Sequence, residues 1–376
     1  MTAGPAEDAA RMRTALALAR RGLGTTWPNP AVGCVIGRDG RVLGRGWTRP
    51  GGRPHAEQVA LEDARARWGA EALRGATAWV SLEPCAHHGR TPPCAGALAA
   101  AGVARVVAPI EDPDPRVSGR GFAALRTAGV AVETGLMAAE ARRANAGFLS
   151  RLERGRPFVS LKLGATLDGR IAMASGESRW ITGAEARARV HLMRAESDAI
   201  LIGSGAALAD DPMLDVRLAG LEARRPVRVV ADGGLAAPLT SRLLRSARES
   251  PLWLLHRPTA DRERRRALED AGAVTIETPV TPSGELDMGA ALGALAGRGL
   301  TRVLCEGGGR IAASLLRAGL VDEIAWFSAG AAIGADGAPA VAAMGLERLS
   351  EAPRFQRVSV ETLGEDVLSL WRADGP

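Results

Sequence analysis

Lysine, tyrosine and cysteine are scarce in this chain of 376 residues, which has one lysine, no tyrosine and four cysteines. Four cysteines are too few for a disulfide framework in a chain of this length, so we expect a reducing, cytoplasmic environment. Arginine carries nearly all of the positive charge, and a single arginine therefore says little about function. The lone Lys162 is a better clue, because a site that needs a compact ammonium would retain it, although chance survival explains it equally well.

Two further absences exclude broad classes of protein. No stretch is long and apolar enough to span a membrane, and the N-terminal segment carries Glu7 and Asp8, unlike a signal peptide. The net charge of +6 is small for this length, no five like charges are adjacent, and aromatic residues make up only 3%. Binding to a membrane or to nucleic acid is therefore not expected. The length exceeds one ordinary core, which predicts two domains.

One histidine, one glutamate and two cysteines form the most informative pattern. His55-Ala56-Glu57 is followed by Cys85 and, after a loop, by Cys94. Imidazole and thiolate suit zinc, and three protein ligands leave a fourth position for water, whose pKa zinc lowers to roughly 7. Glu57 would then move protons as a general acid and base. The alternatives are a structural zinc site or buried thiols, and the loop residues His87 and His88 could compete as ligands.

The second half alternates apolar strands with helical stretches and contains a glycine-rich turn. A strand running into Gly307-Gly308-Gly309 and then a helix outlines a phosphate cradle, because glycine lets backbone N–H groups approach an anion. By itself the triplet predicts a tight turn at least as well. No G-x-G-x-x-G is present, so the Rossmann dinucleotide fingerprint is absent. The break at Arg154-Gly155-Arg156-Pro157 predicts domains at residues 1–152 and 156–376.

Several motifs resemble those of the bifunctional riboflavin-biosynthesis deaminase/reductase family. The metal motif with its long loop between the cysteines is the most specific of them. The other matches are Asn29-Pro30-Ala31-Val32-Gly33 and Asp112-Pro113-Asp114-Pro115-Arg116-Val117, with Asp114 standing where the family usually has asparagine. The resemblance implies an α/β protein with an N-terminal cytidine-deaminase-like α/β/α domain and a C-terminal dihydrofolate-reductase-like α/β domain.

The same resemblance implies functional residues and ligands. It implies zinc at His55, Cys85 and Cys94, a catalytic Glu57, and an Asn29 that bonds to the pyrimidine or its ribose. The residues expected to contact NADPH are Gly164, Trp180, Asp210, Gly307, Gly308, Gly309 and Arg310. Those expected to contact substrate are Ser178, Arg194, Leu214, Arg217 and Glu306, to which we add Lys162.

The implied reactions are deamination of 2,5-diamino-6-ribosylamino-4(3H)-pyrimidinone 5′-phosphate and reduction of its ribosyl group to ribityl by NADPH. We also expect a homo-oligomer, a dimer or tetramer, formed through the reductase domain. The main alternative is a nucleoside or tRNA deaminase whose second domain only binds a nucleotide. A non-catalytic nucleic-acid-binding protein with structural zinc is a second alternative, which the lack of basic clusters disfavours.

Overall fold

A computed structural model of the chain describes residues 4–86 and 92–374. The chain divides into two compact units, residues 1–154 and 155–376. Within the described ranges, no helix combines the length and the apolar character needed to cross a membrane.

The first unit contains six α-helices and five strands within its described residues. The helices are α1 (Pro5–Arg20), α2 (Ala56–Trp68), α3 (Cys94–Ala100), α4 (Arg120–Thr127), α5 (Ala138–Ala144) and α6 (Ala146–Arg154). The strands are β1 (Gly33–Arg38), β2 (Arg41–Trp47), β3 (Thr77–Val80), β4 (Arg105–Val107) and β5 (Ala131–Glu133), and short 3-10 turns span Pro50–Gly52 and Ala70–Leu73.

The five strands form one sheet in the order β2-β1-β3-β4-β5. β1 is antiparallel to both of its neighbours, and β3, β4 and β5 are parallel to one another. The sequence predicts a hairpin at Asp39-Gly40, because Asp-Gly between two apolar runs is a hairpin signal. This prediction is confirmed, since Asp39 and Gly40 both have positive φ and join β1 to β2 as a two-residue turn. Trp79 on β3 is fully buried in the core of this unit.

One predicted helix of the first unit is wrong in its extent. The sequence predicts a single helix over Leu136 to Leu152, but α5 and α6 are separate helices on either side of Asn145. The Asn145 amide group donates to the Ala141 carbonyl, a local bond of the kind by which asparagine competes with helix continuation.

The second unit contains six further α-helices and eleven strands. The helices are α7 (Ala184–Ala195), α8 (Ser204–Asp210), α9 (Arg242–Arg245), α10 (Arg262–Asp270), α11 (Met288–Gly297) and α12 (Gly309–Arg317). The strands are β6 (Phe158–Thr166), β7 (Arg170–Ala172), β8 (Ala199–Gly203), β9 (Val227–Ala231), β10 (Leu252–His256), β11 (Val274–Glu277), β12 (Arg302–Gly307), β13 (Glu323–Ala329), β14 (Ala338–Pro339), β15 (Phe355–Leu363) and β16 (Asp366–Ala373). These counts cover residues 155–374, and a 3-10 turn spans Leu349–Glu351.

Nine of these strands form one sheet in the order β11-β10-β9-β8-β12-β6-β13-β16-β15. The seven strands from β11 to β13 are parallel, and β16 and β15 are antiparallel additions. Apolar runs such as Ala199–Gly203 are typical of strands covered on both faces. Parallel strands present their carboxyl ends at one edge, where open α/β sheets bind ligands.

The sequence analysis missed the edge strand β15. Its side chains are exposed on both faces for most of its length, and the apolar alternation within it is limited to Val358-Ser359-Val360. Pairing with β16 through main-chain hydrogen bonds places it in the sheet nevertheless.

Candidate active sites

Three predicted metal ligands of the first unit come together at the beginnings of two helices. His55 is the N-cap of α2, Cys94 opens α3, and Cys85 follows β3. The His55 Nδ1 atom lies 3.5 Å from the Cys85 sulfur and 3.4 Å from the Cys94 sulfur. The three ligand atoms lie within 4.8 Å of one another. The rival ligands His87 and His88 lie outside the described residues.

These distances fit a tetrahedral zinc site. Zinc–sulfur bonds of about 2.3 Å and zinc–nitrogen bonds of about 2.0–2.1 Å at tetrahedral angles separate the two ligand atoms by about 3.5 Å. The two sulfur–nitrogen separations match that value. A hydrogen bond from Cys94 lowers the pKa of Cys85 to about 4, and the same bond, together with burial, raises the pKa of Cys94. The donor set therefore favours a soft divalent cation.

Glu57 lies beside these ligands in the first turn of α2. Its side chain is buried, and burial together with the Cys85 sulfur raises the pKa of the carboxyl group to about 7. A carboxyl group whose pKa is close to 7 can both accept and donate a proton at the pH of the cell.

The position of α2 depends on a close approach of two backbones. A Cβ atom added to Gly46 on β2 would lie 2.2 Å from the Ala56 carbonyl oxygen, and one added to Gly44 would lie 2.2 Å from that of Ala60. Only a hydrogen atom fits at these positions, so the helix lies directly against the strand. Because Ala56 lies between His55 and Glu57, this contact sets the place of both side chains.

Two neighbouring segments complete the surroundings of the first site. Gly52 has φ of +80°, and a Cβ atom there would lie 2.0 Å from the Asn29 amide nitrogen, so the turn at Gly52 holds Asn29. The Asp114 carboxylate accepts from the backbone and guanidinium of Arg116. Asp114, which stands where the family usually has asparagine, therefore makes its own contact within this loop.

Glu83 is a buried residue that sequence reasoning missed. Its carboxylate accepts backbone N–H groups of four residues and so ties the segment before Cys85 to the 112–122 region. The four donors are Asp112, Gly119, Gly121 and Phe122. The sequence offered one sign of this role, a charged residue directly before Pro84 and Cys85 at the end of an apolar strand. A carboxylate that is buried there needs hydrogen-bond donors from the surrounding backbone.

The second unit contains a cavity of about 950 Å³ at the carboxyl edge of its parallel strands. The structure brings every predicted cofactor and substrate residue of this half to the cavity wall. They are Lys162, Gly164, Ser178, Trp180, Arg194, Asp210, Leu214, Arg217, Glu306, Gly307, Gly308, Gly309 and Arg310. Their individual roles remain predictions.

A largely buried ion pair, between Arg194 and Glu306, lines this cavity. The Arg194 Nε and Nη2 atoms donate to the two carboxylate oxygens of Glu306, the latter at 2.8 Å, and Nη1 donates to the Asp215 carbonyl at 2.9 Å. Burial lowers the pKa of Lys162, which Glu306 partly offsets. Burial opposes ionisation of Glu306, but Arg194 and Lys162 hold its pKa below the usual range.

The glycine-rich turn opens α12 against this cavity. Gly307 and Gly308 both have positive φ, which favours glycine. A Cβ atom on Gly309 would lie 2.7 Å from the Pro339 carbonyl oxygen, so this position also excludes a side chain. The backbone N–H groups at the start of α12 are thus open to an anion.

Several polar residues of the cavity lining escaped the sequence analysis, and His191, Arg242 and Arg257 are three of them. His191 lies one turn before Arg194 on α7, and Arg257 follows β10 directly. Nothing in the local sequence distinguishes them, because arginine is abundant and the histidine belongs to no motif.

Comparison with known proteins agrees with both halves of this description. Residues 157–369 match the model of the RibD C-terminal domain, and residues 5–109 match that of the cytidine and deoxycytidylate deaminase zinc-binding region. The riboflavin biosynthesis protein RibD of Escherichia coli is 43% identical over 374 residues, covering 96% of this chain and 98% of the relative. The chain belongs to the RibD family.

Solved structures of RibD proteins share the whole fold. RibD of Acinetobacter baumannii is 37% identical with a TM-score of 0.86, covering 98% of this chain and 99% of that one. The Thermotoga maritima protein, described as a diaminohydroxyphosphoribosylaminopyrimidine deaminase/5-amino-6-(5-phosphoribosylamino)uracil reductase, is 33% identical with a TM-score of 0.84 over the same shares.

These findings confirm the predicted family, fold class and enzyme class. The chain is a bifunctional RibD enzyme of riboflavin biosynthesis, with a zinc-binding deaminase domain and a reductase domain. The alternative of a nucleoside or tRNA deaminase with a non-catalytic second domain is not favoured, because the second half matches the RibD reductase domain.

Proposed function

We propose that residues 1–152 deaminate 2,5-diamino-6-ribosylamino-4(3H)-pyrimidinone 5′-phosphate and that residues 156–376 reduce the ribosyl group of the product with NADPH. The observation that carries the first step is the triangle of His55, Cys85 and Cys94 beside the buried Glu57. The second step is supported by the cavity with its ion pair and glycine turn.

In the deaminase, His55, Cys85 and Cys94 would hold zinc, which would supply a polarised water for hydrolysis at the ring carbon that bears the 2-amino group. The Glu57 carboxylate accepts a proton from that water and returns it to the departing amine. The carbon–nitrogen bond breaks, a carbonyl remains, and ammonia leaves. Asn29, held by Gly52, donates to the pyrimidine or its ribose.

In the reductase, the cavity residues would hold NADPH, which would supply a hydride to C1′ of the ribosyl group. The C1′–O4′ ring bond would break and the ring oxygen would take up a proton from water, which leaves the open ribityl chain. The turn Gly307–Gly309 and Arg310 bind the cofactor phosphates, with Gly164, Trp180 and Asp210 along the same wall. Glu306 orients Arg194, which in turn donates to Asp215 in the segment that carries Leu214 and Arg217. Lys162, which lies close to the charges of Glu306 and Arg194, and Ser178 contact the substrate in the same cavity.

Charge at one end of the cavity supports NADPH rather than NADH. Arg242 and Arg257 line that end, and within the described residues neither guanidinium has a carboxylate partner within salt-bridge distance. Asp232, which follows β9, is buried, and its carboxylate accepts the N–H of Ala237. Guanidinium groups without a carboxylate partner suit a 2′-phosphate, whereas a carboxylate without a hydrogen-bond donor would suit a ribose hydroxyl.

The proposal includes a cytoplasmic homo-oligomer, a dimer or tetramer, formed through the reductase unit. The cytoplasmic assignment is supported by Cys34, Cys85, Cys94 and Cys305, all free thiols. The oligomer is supported by the edge strand β15, whose Val358 and Val360 are 46% and 56% exposed. Light scattering on the purified chain would give the subunit number, and a monomer would refute this part.

A substitution at Glu57 tests the deaminase assignment. We expect Glu57→Ala to retain stoichiometric zinc and to lose ammonia release, because the proton carrier alone is removed. NADPH oxidation with pre-deaminated substrate should persist in the same preparation. Glu62→Ala, on the exposed side of α2, is the matched control and should retain both activities. Normal ammonia release by Glu57→Ala would refute the assignment.

A further inference from the structure

His191 occupies a place in the reductase cavity that no motif predicts. It lies on α7 three residues before Arg194, so both side chains project from the same face of the helix. Both line the cavity, as does Arg217. An anion that is attracted by Arg194 and Arg217 therefore also approaches the imidazole ring of His191.

One nitrogen of this ring is already committed. The His191 Nδ1 atom accepts the backbone N–H of Arg217 at 3.1 Å, so in the neutral ring the proton must be on Nε2. Burial and the positive charges of Arg194 and Arg217 lower the pKa of His191, and they outweigh Glu306 and Asp215. The ring is therefore a neutral imidazole of fixed tautomer. Within the described residues Nε2 has no hydrogen-bond partner.

The guanidinium groups nearby divide into one that is committed and one that is free. Arg194 directs three of its five N–H groups to Glu306 and the Asp215 carbonyl, so most of its donors are already engaged. The Arg217 side chain is 66% exposed and makes only a loose pair with Asp215 at 3.5 Å. An anion entering between them meets the Arg217 fork and the Nε2–H of His191 as its open donors.

We infer that His191 is a further substrate-binding residue of the reductase, whose Nδ1 holds the segment carrying Arg217 while its Nε2–H donates to the 5′-phosphate of the substrate. This inference rests on the proposed reductase function. A neutral donor of fixed tautomer adds a directed hydrogen bond without a further positive charge beside Arg194. His191 thereby links the position of the Arg217 segment to recognition of the phosphate.

Two isosteric substitutions separate the two nitrogens. In His191→Asn the amide oxygen replaces Nδ1 and keeps the bond to the Arg217 N–H, but the donor at the Nε2 position is lost. In His191→Gln an amide nitrogen reaches the Nε2 position and restores the donor. Arg189→Gln, on the same helix but outside the cavity wall and paired with Glu361, is the matched control.

The measurement is NADPH oxidation by the full chain with deaminated substrate, with and without its 5′-phosphate. We expect His191→Asn to raise KM for the phosphorylated substrate about tenfold, the loss of one hydrogen bond to a charged acceptor, mainly without loss of kcat. Its kcat/KM for the unphosphorylated substrate should match wild type, and His191→Gln should recover part of the affinity. Thermal unfolding midpoints check that each variant is folded.

An unchanged KM in His191→Asn, or equal losses with both substrates, would overturn the inference. Failure of the wild-type chain to oxidise NADPH with either substrate would instead refute the proposed reductase function. The two failures are therefore distinguishable in one experiment.

Discussion

The two units hold the residues of their sites in place by different interactions. In the first unit the key side chains occupy the first residues of α2 and α3, and α2 lies so close to β2 that only glycine fits between them. In the second unit the site is a cavity of about 950 Å³ that is lined by the ion pair of Arg194 and Glu306. The first site depends on backbone contact and the second on paired charges.

This difference predicts opposite sensitivities. A site held by backbone contact should fail when one methyl group is added, because neither backbone can move without the other. A site held by paired charges should fail when one charge is removed at constant volume, because the remaining charge stays buried without a partner. Each of these substitutions should leave the activity of the other unit unchanged.

The largest effect is expected from Gly46→Ala. The new Cβ would lie 2.2 Å from the Ala56 carbonyl oxygen and 2.6 Å from the Ala60 nitrogen, so α2 must shift. A displacement of about 1 Å at Glu57 is enough to lower deamination about 100-fold. NADPH oxidation with deaminated substrate should be unchanged. Ammonia release and NADPH oxidation, measured on one preparation, give both values.

Gly96→Ala is the matched control for this substitution. Gly96 lies on α3 with no atom within 4 Å of an added Cβ, so ammonia release should stay at the wild-type rate. Equal deaminase rates in Gly46→Ala and wild type would show that backbone contact does not position the first site.

The sequence alone predicts more of the residues of the first site than of the second. His55, Glu57, Cys85 and Cys94 fall in one recognisable motif because ligands and proton carrier need fixed spacing on neighbouring elements. The cavity of the second unit is lined by residues from segments far apart in sequence, so no single motif contains them. The prediction of Glu306 therefore rests on the family resemblance, and that of Lys162 on its being the only lysine of the chain. No local pattern distinguishes Gly46 or His191, since their importance comes from what packs against them in three dimensions.

An intermediate effect is expected from Glu306→Gln. The volume is kept, but Arg194 and Lys162 lose their buried negative partner, and the Arg194 contact to Asp215 loses its support. Removing one member of a buried hydrogen-bonded pair costs about 2 kcal/mol or more, which corresponds to about a 30-fold loss of kcat/KM in NADPH oxidation. Ammonia release should not change.

Glu285→Gln sharpens this second comparison. Glu285 also lines the cavity, but its pair with Arg317 is 3.1 Å long and about 43% exposed, so its loss should change kcat/KM very little. A similar loss in both variants would mean that any carboxylate of the cavity matters equally, and the central role of Glu306 would be wrong.

The smallest effect is expected from Arg105→Gln, which changes stability without reaching either site. Arg105 on β4 donates to both carboxylate oxygens of Asp8 on α1 and of Glu133 on β5. Trp79 also donates to the Asp8 carboxylate. The Arg105 hydrogen bond, joined by Trp79, keeps the pKa of the buried Asp8 below its usual value. Because Trp79 remains, we expect the first unit to lose about 1.5 kcal/mol at pH 7, with ammonia release unchanged at 25 °C.

The same pair predicts how this difference depends on pH. A carboxyl group whose pKa is lowered by folding contributes its full stabilisation above its unfolded pKa of about 3.9 and loses it as the pH falls through the folded value. The gap between wild type and Arg105→Gln should therefore be constant from pH 7 to about pH 5 and should narrow below about pH 4. Hydrogen exchange of amides in β3 and β4 measures the free energy locally, and Arg38→Gln, which removes a loose surface pair with Asp39, is the control. A gap that widens in acid would show that Asp8 is not stabilised as a carboxylate, and the first unit would then depend on backbone contact alone.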